Sequence, residues 1–190
     1  MLVQHKAHHR VQSVQAEVLI ALYFLCLGHN VEARYHVNAA VALAFSCSLH
    51  QIKVPDENFT SLSLPPPVDA KEREERIRVF WSVFELDACW SAILESPRSF
   101  SNDPIRGTLI DTPWSAGPSV SYIMCISFFG KECSFLQTAT SGRTVQRFLA
   151  GYSTLSDDGS YMTFRSKASA IYGKTSELAG TFMALVFSIL

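Results

Sequence analysis

The sequence predicts an all-α protein, an irregular bundle with one central buried helix and a long Pro/Gly loop after it. Apolar residues recur at helical spacing through most of the 190-residue chain, and no segment shows convincing strand-like alternation. Hydrophobic residues make up 48% and charged residues 17%, as expected for a chain with a substantial core. We therefore expect a frayed or disordered start over residues 1–12 and one helical domain over 13–190, incomplete at its C-terminus.

The first two helices are predicted to form an antiparallel hairpin. Apolar residues follow helical spacing from Ser13 to Leu27, and Gly28 supplies the left-handed position that commonly ends a helix. A second helix begins near Val31. Small side chains on its inner face let the two helix axes approach closely. This inner face consists of Ala33, Val37, Ala40, Val41, Ala44 and Ser48.

The central helix is expected over about residues 70–95. It follows a proline-rich loop over 50–68, and Asp69 with Glu72 three residues later resembles a capping box. Glu72 and Arg76 lie four residues apart in the favourable acid-first order. Two apolar stripes on one helix require neighbours on both sides. The stripes are Ile77, Phe80, Trp81, Phe84 and Ala88, and Val79, Val83, Leu86, Trp90 and Ile93.

Beyond Pro97 the pattern is less regular. Residues 98–118 form a Pro- and Gly-containing loop that we expect Trp114 to anchor. Helical patterning returns at 119–139, at 144–155 and at 160–190, the last with an expected break near Gly173 or Gly180. The final apolar run, LAGTFMALVFSIL, is shorter than the roughly 20 residues that span a bilayer, so we predict a core helix and no membrane association.

No local motif of a catalytic, cofactor-binding or metal site is present. The chain lacks Cys-x-x-Cys, His-Glu-x-x-His, Gly-x-Ser-x-Gly and phosphate-loop patterns, so we expect no enzyme, no cofactor and no bound metal. His5 and His9 would share a helix face, but a polar N-terminus explains them better than a metal pair. Asp157 and Asp158 lie in a turn composition. The five scattered cysteines are interpreted as buried residues in a reducing compartment.

Glu85 and Asp87 stand out because they interrupt an apolar helix, and buried carboxylates need partners. Residues two apart on a helix point in different directions, which argues against a catalytic pair. We expect each carboxylate to accept hydrogen bonds from a neighbouring helix or loop, with Arg98 and Arg106 as candidate partners. The nearby aromatic residues are interpreted as core, with an apolar effector pocket as the alternative. The residues of this structural or effector-pocket region are Arg78, Phe80, Trp81, Phe84, Glu85, Asp87 and Trp90.

Two segments in order resemble the regulatory domain of fungal binuclear zinc-cluster transcription factors, the fungal-specific transcription factor domain. The first is SVQAEVLIALYFLCLGHNVEARYHVNAAVALAFSCSLHQ, and the second is EERIRVFWSVFELDACWSAILESPRSFSNDPIRGTLIDTPW. The second carries the arginine-rich start, aromatic pair and Leu-Asp of the family as Arg76, Arg78, Phe80, Trp81, Leu86 and Asp87. A later segment, SYMTFRSKASAIYGKTSEL, is similar to a further helix of the domain, so the resemblance extends over about residues 13–178.

The resemblance implies a nuclear regulatory domain that modulates transcription through partner proteins, a DNA-binding module or a small effector. The family binds DNA and zinc through a module of six closely spaced cysteines, which this chain does not contain, so zinc is implied only for that module. The family's Leu-Gly-Arg-Pro reads Leu94, Glu95, Ser96, Pro97 here, so no role of that arginine carries over. A net charge of −1 argues against direct, specific DNA binding by this segment.

Two other functions fit parts of the pattern. The hairpin around Gly28 resembles a tetratricopeptide unit of a helical-repeat scaffold, but such a fold needs about three units and only one is found. An all-helical enzyme would hold an apolar substrate near Trp81 and Trp90, with Glu85 or Asp87 as acid or base.

Overall fold

The protein is helical, as the sequence predicts. The computed structural model describes residues 2–52, 64–93, 97–100, 109–115, 144–151 and 161–189. These residues form five α-helices and no strand. We number them in chain order: α1 is Leu2–Cys26, α2 is Asn30–Ser46, α3 is Ala70–Ile93, α4 is Thr144–Leu149 and α5 is Tyr161–Ile189.

Helices α1 and α2 form the predicted hairpin. Gly28 between them has φ 73°, the left-handed conformation that glycine adopts without cost. The predicted inner face of α2 is buried from Ala33 to Ala44. Ser48, expected on that face, instead has φ 55° and precedes a short 3-10 turn, Leu49–Gln51, so α2 ends before it.

The start of α1 differs from the prediction. Residues 2–12, expected to be frayed or disordered, are helical from Leu2. Val11 is only 3% exposed and belongs to the same core cluster as Val14 and Val18. The prediction failed because the polar, histidine-containing sequence around Val11 obscures the continuation of the buried face.

Helix α3 is the central helix of the bundle. It contacts α1, α2 and α5, and its side chains from Ile77 to Phe84 are almost completely buried on both predicted stripes. Asp69 Oδ1 accepts a 2.7 Å hydrogen bond from the Glu72 backbone N–H, and Glu72 accepts one of 2.8 Å from the Val68 N–H, so the helix begins with the expected cap. Arg76 donates to Glu72 at 2.6 Å, also as predicted.

Helix α5 is continuous from Tyr161 to Ile189, so the expected break near Gly173 or Gly180 is absent. The prediction of a core helix at its C-terminal end is also not supported where the side chains are described, because Leu178 is 57% exposed. Helix α4 ends at Leu149, earlier than predicted, and Gly151 with φ 81° follows it.

Two of the three described cysteines are exposed, contrary to expectation. Cys47 is buried, whereas Cys26 and Cys89 are exposed, which costs little for so small a side chain. Several predictions lie outside the described residues: the helix at 119–139, Arg106, Asp157 with Asp158, Cys125 and Cys133.

Candidate functional site

The two carboxylates in the middle of α3 are both buried and serve different neighbours. Glu85 is 4% and Asp87 is 3% exposed. Because successive residues on a helix are separated by about 100°, side chains two apart diverge strongly. Glu85 accordingly contacts α5, while Asp87 contacts the segment 97–100 that follows α3. They do not meet in one place, so a shared acid–base site between them is not formed.

Asp87 fixes the chain that follows α3. Its oxygens accept hydrogen bonds from the backbone N–H of Ser99 at 3.2 and 3.1 Å and from that of Phe100 at 3.3 Å. Arg98 Nε lies 3.9 Å from Asp87 Oδ2, which confirms Arg98 as a charge partner. The buried carboxylate is therefore both hydrogen-bonded and paired, as burial of a charge requires.

Arg98 joins α3 to α5. Its Nη2 donates to the Phe84 carbonyl at 3.3 Å, and its Nη1 donates to the Ser169 carbonyl at 3.0 Å. The guanidinium also lies over the Phe84 ring, with Cζ 4.5 Å from the ring centroid. Burial lowers the pKa of Arg98, while the Asp87 charge opposes that shift.

Glu85 makes the second polar link to α5. Its Oε1 accepts a 3.0 Å hydrogen bond from the Ser166 hydroxyl, and Arg165 Nη2 lies 3.1 Å from its Oε2. Burial raises the pKa of Glu85, and the Arg165 charge and the Ser166 hydroxyl reduce this rise. We call Glu85, Asp87, Arg98, Arg165 and Ser166 the polar clamp.

The sequence identified only part of the polar clamp. Glu85, Asp87 and Arg98 were predicted, but Arg165 and Ser166 were not, because a contact across 81 residues leaves no local motif. One signal was available: an arginine next to a serine offers the donors that a buried carboxylate needs.

The aromatic residues of α3 form a packed cluster with the loop at 109–115. Trp81 stacks on Trp114, with ring centroids 4.4 Å apart, and donates its indole N–H to the Pro113 carbonyl at 2.6 Å. Phe80 and Phe84 are 0% and 1% exposed. Further ring contacts join these residues to Phe100. Trp114 is thus the anchor of its loop, as predicted, and the rings occupy the core.

Trp90 and Arg78 are the remaining residues of the predicted structural or effector-pocket region. Trp90 is 4% exposed, and its indole N–H is buried with no hydrogen-bond partner among the described residues. Arg78 is half-buried and donates from Nε to the Glu74 carbonyl at 3.4 Å. The Glu74 carboxylate accepts a 2.8 Å hydrogen bond from the Ser115 hydroxyl.

Outside the polar clamp and the aromatic cluster, the described residues offer few groups for binding or catalysis. An open groove of about 270 Å³ lies between the starts of α1 and α3 and is lined by His8, Asp69, Lys71, Glu72 and Glu75. Within the described ranges, no group of three or more His, Cys, Asp or Glu residues is placed to hold a metal ion. None of the described helices combines the length and apolar character of a membrane span.

Comparison with known proteins gives one family. The sequence profile of the fungal specific transcription factor domain matches residues 5–113, which include most of α1, all of α2 and α3, and the anchored loop up to Pro113. No curated protein and no solved structure matches the chain.

Proposed function

The chain belongs to the fungal-specific transcription factor domain family, and we propose that it is a non-enzymatic regulatory domain of a nuclear transcription regulator. It modulates DNA-templated transcription through contacts with partner proteins, with a zinc-cluster DNA-binding module, or with a small effector. The matched region includes the hairpin and the central helix, and thus the side of the polar clamp contributed by α3.

The observation that supports this mechanism is that the contacts described between α3 and α5 include buried hydrogen bonds and ion pairs. The buried side chains described on α5 are small or polar, namely Thr163, Ser166 and Ala170. The α5 side of this interface buries little apolar surface, so we propose that hydrogen bonds and ion pairs set the position of α5 on α3. We propose that α5 has two arrangements on α3, and that a partner or effector shifts the population by binding one of them more tightly.

This domain is proposed to act without specific DNA contacts of its own. Its formal net charge of −1 provides no extended positive field for a phosphate backbone. We propose that DNA contact and zinc binding belong to a zinc-cluster module, as the resemblance to this family implies. A sequence-selective, salt-sensitive gel shift by this chain alone would contradict that division of roles.

An effector site at the aromatic cluster stays a prediction. Trp81, Phe84 and Phe100 pack against one another, so a ligand there would have to separate core rings. Such a ligand would bind an arrangement with separated rings more tightly than the packed arrangement. An effector of a two-state domain needs this difference in affinity.

A tethered reporter tests the proposal. The chain is fused to an unrelated DNA-binding domain, and reporter transcription is compared for Glu85→Gln and Arg98→Met, which weaken the polar clamp. Glu177→Gln and Arg34→Met are matched controls, because both side chains are exposed. We expect the clamp variants to change output at equal protein level and the controls to leave it unchanged. Unchanged output in all four would contradict a regulatory role of the clamp.

A further inference from the structure

The three consecutive prolines before α3 lie in extended chain at the surface of the bundle. Residues 64–67 belong to neither a helix nor a strand, and Val68 forms a bend before α3 begins at Ala70. A proline ring fixes φ at about −65° and disfavours the helical conformation at the residue before it. A run of three prolines therefore favours the polyproline II conformation, which has no internal hydrogen bonds. We call Leu64, Pro65, Pro66, Pro67 and Val68 the proline segment.

One side of the proline segment faces the protein and the other faces solvent. Leu64 is 6% exposed and belongs to the hydrophobic core cluster, and Pro67 is half-buried. Because polyproline II has three residues per turn, positions 64 and 67 share one side of it. Pro66 lies on another side and is exposed, and Val68 is 73% exposed. The segment therefore presents a proline ring and an apolar side chain to solvent.

An ion pair of α3 holds the chain on both sides of Pro66. Arg76 Nη1 donates to the Pro65 carbonyl at 2.6 Å, and Glu72 Oε2 accepts a 2.8 Å hydrogen bond from the Val68 backbone N–H. The two side chains also bind each other, with Arg76 Nη2 2.6 Å from Glu72 Oε1. Arg76 is only 4% exposed, so its position is fixed by the bundle. Pro66 is thus held in place before a partner binds, which lowers the entropic cost of binding.

We propose that the proline segment binds a partner protein that recognises polyproline II through an aromatic-lined groove, as SH3 and WW domains do. Recognition of this kind exploits a preformed polyproline II helix, whose ordering costs little. Aromatic rings of the groove pack on Pro66 and Val68, the two exposed apolar side chains of the segment. The segment precedes α3, whereas the polar clamp joins the middle of α3 to α5, so this docking surface goes beyond the regulatory function proposed above.

The chemistry of the proline segment argues against the other common modes of peptide recognition. A strand that joins a sheet edge donates backbone N–H groups to it, and a proline has no N–H. An amphipathic helix in a groove needs helical backbone, which residues 64–67 lack. Arginine clusters that bind acidic motifs need negative charge, and residues 64–68 contain no charged side chain. An apolar segment with so few donors fits an aromatic groove best.

Titration of the full 190-residue chain with a panel of purified SH3 and WW domains tests the proposal. We expect at least one domain to bind with micromolar affinity. Pro66→Ala should weaken this binding about tenfold or more, because it removes two ring methylene groups from the contact. Pro97→Ala is the matched control, since Pro97 is exposed but lies outside the proline segment, and it should leave the affinity unchanged. Replacing the aromatic residues of the bound domain's groove by alanine should abolish binding.

A second variant tests whether α3 holds the proline segment ready for binding. Glu72→Ala removes the acceptor of the Val68 N–H and the partner of Arg76, so the segment must be ordered when the domain binds. We expect the affinity to fall about tenfold, since this is roughly the entropic cost of fixing one more residue. Lys71→Ala, at the neighbouring exposed position, should leave the affinity unchanged. Equal affinities of the Glu72→Ala and wild-type chains would contradict a segment held by α3.

Three results would overturn the docking surface: no binding by any domain of the panel, binding unaffected by Pro66→Ala, or binding equally weakened by Pro97→Ala. A wild-type dimer that Pro66→Ala dissociates would identify a second copy of the chain as the occupant, and would also overturn it. Far-ultraviolet circular dichroism checks that each variant remains helical. The titration involves no transcription, so its failure would leave the proposed regulatory function untouched.

Discussion

The guanidinium of Arg98 occupies the space that a side chain at position 173 would fill. A Cβ built on Gly173 would collide with Nη1 of Arg98, which donates to the Ser169 carbonyl, while Nη2 donates to the Phe84 carbonyl. The glycine was expected to break the last helix, but it lies inside α5 and makes room for the residue that joins this helix to α3.

Gly173→Ala should therefore destabilise the fold, although alanine favours a helix by about 1 kcal/mol over glycine. Displacing Nη1 of Arg98 loses its charge-assisted hydrogen bond to the Ser169 carbonyl, worth roughly 1.5–3 kcal/mol, so we expect a net loss of about 0.5–2 kcal/mol in urea unfolding. Gly180→Ala is the control, because nothing lies within 4 Å of its added Cβ, and it should stabilise the protein slightly. In an Arg98→Ala background, Gly173→Ala should also become stabilising. Equal effects of the two glycine substitutions in the wild-type background would contradict the close contact.

Glu85→Gln should change how stability depends on pH. Burial raises the folded-state pKa of Glu85 above its ordinary value of 4.5. A raised folded-state pKa adds stability that is fully present below the unfolded-state pKa and is lost as the pH rises through the folded-state pKa. The glutamine variant lacks this loss, so its stability relative to wild type should increase from pH 4 to pH 7. Thermal unfolding across this range measures the difference.

The control for that titration is Glu177→Gln, whose carboxylate is exposed beside Lys174. Its stability relative to wild type should vary little with pH, since exposed pairs contribute about 0–1 kcal/mol. A Glu85→Gln variant that loses stability relative to wild type as the pH rises would show that the ion pair with Arg165 outweighs burial.

Asp87→Asn should destabilise the junction between α3 and the segment 97–100. The amide replaces one acceptor oxygen that faces the N–H groups of Ser99 and Phe100, and it removes the charge beside buried Arg98. We expect a loss of about 2–3 kcal/mol in urea unfolding. Asp69→Asn is the control, because asparagine caps a helix as well as aspartate and should cost almost nothing. Equal losses in the two variants would show that Asp87 is not specially held.

Trp114→Ala should cost about 3–5 kcal/mol, since it removes the ring that stacks on Trp81 and leaves a cavity in the core. Tyr23→Ala is a suitable control, because Tyr23 is 61% exposed, and its effect should stay within about 0.5 kcal/mol. Chemical unfolding with both variants measures the comparison. A small loss at Trp114 would mean that the loop at 109–115 is not anchored by this ring.

The helices of the matched region could be predicted because their apolar residues repeat at a helical period and because their ends carry local signals. Gly28 and Asp69 are such signals, and each lies at the helix boundary expected for it. The start of α1 was predicted wrongly, since the polar sequence that precedes the buried Val11 resembles a frayed terminus.

The candidate site could be predicted only on the side of α3. Glu85 and Asp87 are conspicuous within an apolar helix, and Arg98 is close to them in sequence. Arg165 and Ser166 are far away in sequence and are brought in by the packing of α5 on α3, which no local pattern specifies. The same packing decides that Ile171 faces outward while Ala170 is buried, a distinction that apolar periodicity alone does not make.

Amide hydrogen exchange of α5, measured alongside tethered transcription, tests whether the polar clamp regulates transcriptional output. Glu85→Gln, Arg98→Met and Gly173→Ala perturb the link between α3 and α5 to different extents. We expect variants with faster exchange over residues 163–173 to show proportionally larger changes in reporter output, and Glu177→Gln to change neither quantity. Faster exchange in this segment with unchanged output would contradict the claim.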